Sequence, residues 1–116
     1  MYRDGDTVLY MYSGKTIVLP THEMEYSIET IELLSALVIA SSNVSGSRIA
    51  VAIGSSDGVR EIIKKHVGVD VDCSKHVVVD GVDVNTVFLL SSAFRHYAYV
   101  CSNEDGRVVV GIAYRC

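Results

Sequence analysis

Tryptophan and glutamine are missing altogether from this chain of 116 residues, proline appears once, as Pro20, and cysteine three times. The missing glutamine would suit a hot source, but the lysine and glutamate enrichment that goes with one is missing too. Cys73, Cys101 and Cys116 make an odd count with no C-x-x-C pair, which fits a reduced, cytoplasmic protein better than a disulfide framework. Long apolar runs are also lacking. The densest, Leu33–Ala40, is about eight residues long and is interrupted by Ser35, whereas a membrane span needs about 20. The segment Met1–Asp6 has no apolar core of the kind a secretion signal carries, so none is expected.

Charge is sparse. Only 21% of residues are charged, against 49% apolar, and the formal net charge is −4 with a pI near 5.4. That balance excludes disorder and argues against nucleic-acid binding, which wants a basic face. The basic residues between Arg60 and His66 read as the solvated face of a helix. A mean hydropathy of +0.30 implies a sheet covered on both faces, or apolar surface used for association.

What is present is organised around residues 48–68. Arg48–Ile53 is an apolar strand, Gly54-Ser55-Ser56-Asp57-Gly58 a tight turn, and Val59, Ile62, Ile63 and Val67 recur at helical spacing up to Gly68. Such a turn delivers a helix N-terminus to the end of a strand. There the backbone N–H groups at Ser56–Val59 and the hydroxyls of Ser55 and Ser56, with Arg60 or Lys64 in reach, would suit a phosphate or carboxylate, which makes Gly54, Ser55, Ser56, Gly58 and Arg60 the candidate ligand residues. The competing reading is a plain helix cap, and Asp57 sets a negative charge at the mouth of any anion site.

Elsewhere, Thr7–Tyr12 and Lys15–Leu19 read as a hairpin about Ser13-Gly14, closed by Pro20. Thr21 then caps a helix with Ile28, Ile31, Leu34 and Val38 facing inward and Glu25, Glu29 and Glu32 outward. His76–Val79 reads as a strand, Asp80-Gly81 as a turn and Val84–His96 as a third helix, with a continued hairpin as the alternative there. Tyr97–Ser102 and Arg107–Tyr114 form a hairpin about Asp105-Gly106. Its register sets Glu104 opposite Arg107, Cys101 opposite Val110, Tyr99 opposite Ile112 and Tyr97 opposite Tyr114. The other face of that hairpin, Ala98, Val100, Gly111 and Ala113, is small enough for a helix to approach closely.

The expected fold is a single domain over residues 1–116, of α/β class bordering on α+β. It would be a mixed sheet in the order ββαβαβαββ, with about three helices. A parallel centre, including Arg48–Ile53 beside His76–Val79, would be flanked by antiparallel hairpins.

No motif names a family. Cys73-Ser74-Lys75-His76 with His66 is a lone C-x-x-H without a second pair at standard spacing, so no metal and no cofactor are expected. Ser55 or Ser56 with a histidine, or Cys101 with His96, would suit a nucleophile only if folding brought them together, and no catalytic residue is assigned. Two functions follow. The first is a non-catalytic interaction or assembly protein, cytoplasmic, binding itself or a protein partner through apolar strand or helix surface, either the C-terminal hairpin as an outer element or the first helix, apolar nearly all round past Leu33, with no membrane and no nucleic acid involved. The alternative is a binding protein or small enzyme for a phosphorylated or nucleotide-like ligand at Gly54–Arg60.

Overall fold

The run Arg48–Ile53 has no exposed apolar side chain: Ile49, Ala50, Val51, Ala52 and Ile53 are all sealed from solvent. Successive side chains in a strand point to opposite faces. Ile49, Val51 and Ile53 therefore join one apolar cluster with Leu33, Leu34 and Leu37, while Ala50 and Ala52 join another with Val59, Ile62 and Ile63. A helix covers each face of the sheet, and the central strands are apolar throughout for that reason.

The computed structural model describes residues 1–13, 17–41, 46–73, 87–89 and 97–115. In chain order the elements are β1 (Tyr2–Asp4), β2 (Thr7–Ser13), α1 (Ile28–Ser41), β3 (Ser47–Gly54), α2 (Ser56–His66), β4 (Val87–Leu89), β5 (Tyr97–Glu104) and β6 (Arg107–Arg115). The strands form one sheet in the order β1-β2-β3-β6-β5-β4, and every pairing among the described residues is antiparallel. The expected parallel centre and three helices are thus corrected to an antiparallel sheet with two helices among the described residues. β3 has both edges taken, by β2 and β6, which leaves no place for a parallel neighbour. A helix between two strands does not by itself make them parallel. Here Ser13 at the end of β2 pairs with Arg48 at the start of β3, so the chain leaves and re-enters the sheet at the same end.

The C-terminal hairpin has the expected register, from Glu104↔Arg107 to Tyr97↔Tyr114. Its turn residues Asp105 and Gly106 both have positive φ, 50° and 79°, as a two-residue type I′ turn requires. The hairpin is not an outer element, however. β6 lies between β3 and β5, and Val109, Val110, Ile112 and Ala113 are at most 1% exposed. Gly111 marks where α1 crosses β6: a β-carbon there would run into Leu34 Cδ2 and stand 3.1 Å from Leu37 Cδ2.

Other expectations are corrected. β2 forms its hairpin with β1, and of the expected strand Lys15–Leu19 the described part, residues 17–19, is not a strand, while 15 and 16 lie outside the described residues. Residues 87–89, placed in a helix by sequence, form β4 on the free edge of β5, where Val87 and Phe88 suit a pleated strand. The rest of 84–96, together with His76–Val79 and Asp80-Gly81, lies outside the described residues.

α1 begins at Ile28 instead of just after Thr21. Ser27 Oγ accepts from Thr30 N at 3.1 Å, which makes Ser27 the cap, and residues 20–23 form a turn through Glu23 N→Pro20 O. The buried stripe is Thr30, Leu33, Leu34 and Leu37, which leaves Ile28 72% and Ile31 45% exposed. α2 follows its expectation closely. Val59, Ile62 and Ile63 are buried, and Gly68 beyond the helix end has φ +83°. Finally, Cys73 and Cys101 are joined by a disulfide, correcting the expectation of reduced thiols for that pair. Sequence spacing could not show that the segment after α2 returns to lie against β5.

Candidate functional site

The turn into α2 is dictated by Thr7. A β-carbon on Gly54 would meet Thr7 Oγ1 at 2.6 Å, and one on Gly58 would run into the same oxygen. Both glycines are therefore required by close packing of the helix start against β2. Ser55 is the cap, its Oγ accepting from Gly58 N at 3.1 Å, and Asp57 answers the positive end of the helix. Ser56 and Arg60 are exposed on the first turns. Arg60 donates from Nε and Nη2 to the two carboxylate oxygens of Asp70, at 2.6 and 2.9 Å. The Asp70 hydrogen bond lifts the Arg60 pKa above its usual value, and that same bond holds the Asp70 carboxyl low. The structure keeps Gly54, Ser55, Ser56, Gly58 and Arg60 close along the chain, but Ser55 and Arg60 are engaged, and Arg60 alone of the five lines the hollow that Asp57, Glu61, Lys64 and Asp70 share.

Two polar clusters lie on the opposite face, where sequence gave no warning of them. Glu104 on β5 is 7% exposed and accepts from Ser27 N at 3.0 Å and from the Thr30 hydroxyl, which also touches Ser102 Oγ at 2.5 Å. Burial opposes its charge, yet the Ser27 and Thr30 hydrogen bonds outweigh it and hold the carboxyl below the usual range. The second cluster centres on Glu23, which accepts from Tyr10 OH at 2.9 Å and from Arg3 Nη2 at 3.2 Å, with His22 Nε2 3.3 Å away. The Tyr10 hydrogen bond draws the Glu23 carboxyl down. Tyr26 packs nearby, its buried hydroxyl without a hydrogen-bond partner among the described residues, and burial pushes its pKa well up. Both clusters fix the two ends of residues 20–30 to the sheet. The hydroxyl that meets the Glu104 carboxylate, Thr30, is sealed from solvent. Among the described residues no group of three or more His, Cys, Asp or Glu could hold a metal ion, and no helix is long and apolar enough to cross a membrane.

One hollow on this face is apolar. Between residues 17–19 and α1 lies a groove of about 350 Å³, lined by Ile17, Leu19, Ile31, Leu34, Val38 and Ile39. Its one hydroxyl is already engaged, Ser35 Oγ donating to Ile31 O at 2.8 Å. Around it Val18, Ile28 and Ile39 are 70%, 72% and 67% exposed. The sequence pointed to the first helix as an association surface but turned Ile28 and Ile31 inward, and so did not place them on it. The apolar all-round second half of the helix was the available signal. No family model, curated protein or solved structure matches the chain.

Proposed function

We propose that this protein is a non-catalytic interaction module that engages a protein partner through the α1 layer. The observation that carries the reading is the open apolar groove beside α1, with isoleucine and valine side chains exposed along its margins. Single exposed apolar residues are ordinary, but a contiguous group around a concavity is a recognised mark of an interaction surface. In the C-terminal hairpin, the other surface suggested by sequence, the apolar residues 99–101, 109, 110 and 112–114 are buried in the core. A phosphorylated ligand at Gly54–Arg60 is supported less well. Ser55 Oγ and Arg60 have partners there, and the three carboxylates of the hollow outnumber its two cations, Arg60 and Lys64.

The test compares wild type with Ile31→Asp as baits in lysate of the source organism. Ile31 is exposed at its outer side, so the variant should keep a melting temperature close to wild type. A protein retained by wild type and lost from the variant supports the reading. Identical retention by the two baits, at equal stability, overturns it.

A further inference from the structure

We infer that the Cys73–Cys101 bridge is a thiol–disulfide exchange site, which a dithiol opens by attack at Cys73 and which closes again without loss of the fold. The two sulfurs differ in access. Cys101 sits in the middle of β5, between Val87 of β4 and Val110 of β6, and is 2% exposed. Cys73 is half-buried at the end of the segment 69–73, on the α2 side of the sheet. It lines a hollow at the start of α2 with Ser56, Asp57, Arg60 and Asp72. Exchange needs a thiolate to reach one of the two sulfurs, and access selects Cys73.

The segment 69–73 does not depend on the bridge for its place. Val71 is 2% exposed and belongs to the cluster under α2. Asp70 accepts from Arg60 at 2.6 and 2.9 Å, and Tyr99 OH donates to Asp72 O at 3.2 Å. On the other side, strand pairing fixes Cys101 at both its edges. The two Cα atoms are 5.8 Å apart, a spacing at which cysteines ordinarily bond. With both backbones anchored by other contacts, the separated thiols stay within reach of one another. A bridge whose ends are held independently can open and re-form in place.

The exchange takes two steps. First, a thiolate of the dithiol bonds to Cys73 Sγ. The bond between the two cysteines breaks, its electron pair goes to Cys101 Sγ, and that sulfur takes up a proton. Then the second thiolate of the reagent attacks the reagent's own sulfur in the mixed disulfide. Cys73 leaves with the electron pair and is protonated, and the reagent departs as a cyclic disulfide. Two electrons and two protons have passed from the dithiol to the protein. A monothiol stalls after the first step, because Cys101, held beside Cys73, attacks the mixed disulfide and restores the bridge.

The experiment uses the full chain with Cys116→Ser, which leaves one pair of cysteines. The dithiol is dithiothreitol, uncharged so that Asp57 and Asp72 at the hollow do not repel it. Before reduction, N-ethylmaleimide should find no thiol, even in urea. Without denaturant, dithiothreitol should release both thiols while the near-ultraviolet circular dichroism of the tyrosines keeps its folded signal. Removal of the reagent under air should restore the bridge. In the opened protein, N-ethylmaleimide should modify Cys73 at least about tenfold faster than Cys101, read by peptide mass mapping. Reduction that requires urea, or that abolishes the tyrosine signal, overturns the proposal and makes the bridge a structural staple. Equal or reversed labelling rates overturn it as well, as do thiols that react before any reductant is added.

Discussion

Glu104 carries its charge inside the protein because the start of α1 is built to receive it. The Ser27 amide and the Thr30 hydroxyl both donate to its Oε1, so a carboxylate on β5 occupies the N-terminal end of a helix, where negative charge is favoured. The consequence is a pH dependence of definite sign. With the folded pKa below the unfolded value of about 4.3, the stabilisation is complete above that value. It is lost as pH falls through the folded pKa. Urea midpoints should therefore drop as acid is added below about pH 5. Glu104→Gln, which keeps the shape and an accepting oxygen, should flatten that acid limb in part; Glu23, also held low, keeps a residual slope. An unchanged acid limb in the variant would show that Glu104 is not the linked group. No sequence pattern announced this residue. Read along the chain, Glu104 is the acid before a hairpin turn, and its partners lie 74 and 77 residues away.

At the scale of elements, α2 and the terminal hairpin were legible because their signals are local. The Ser55 cap, the spacing of Val59, Ile62 and Ile63, Gly68, and Asp105-Gly106 all act within a few residues. α1 was legible in existence but not in phase. Thr21 and Ser27 are both fair caps. The choice fell to Ser27 because Glu23 is drawn to Tyr10 and Arg3 and Thr30 is drawn under the helix by Glu104. The small face of the hairpin did foretell a close helix, and Gly111 is its point of contact. Gly111→Val should push against Leu34 and Leu37 and cost about 1–3 kcal/mol in urea melts, the usual penalty for overfilling a packed site. A neutral result would mean that α1 does not cross β6 at this residue.

For the whole molecule, strand direction was the part that sequence withheld. A strand apolar on both faces is commonest in parallel sheets, and strands separated by helices suggest crossovers. β3 meets the first condition and is followed by a helix, yet its neighbours both run the other way, since α1 and α2 simply cover the two faces of an antiparallel sheet. The candidate ligand turn was legible as a strand, turn and helix. What its glycines are for was not, because the atom that demands them belongs to Thr7, at the far end of the chain from any pattern read there.

The bond between Cys73 and Cys101 has a meaning in covalent topology as well as in packing. It turns the stretch between them into a ring, with a sequence separation of 28, threaded between two tails. One tail carries β1, β2, α1, β3 and α2, and the other carries the end of β5 and all of β6. A single peptide-bond cut anywhere within the ring opens it but does not divide the molecule, because the sulfur bridge still joins the pieces. Limited proteolysis at such a point should leave one band under non-reducing electrophoresis and two after thiol treatment. Two bands before reduction would show that the bridge is open in the protein tested. The nicked form keeps β3 and β6, the most enclosed pair of strands, on separate polypeptides that are held by one bond and the sheet itself. It is a natural starting point for asking whether the two segments can find each other unaided.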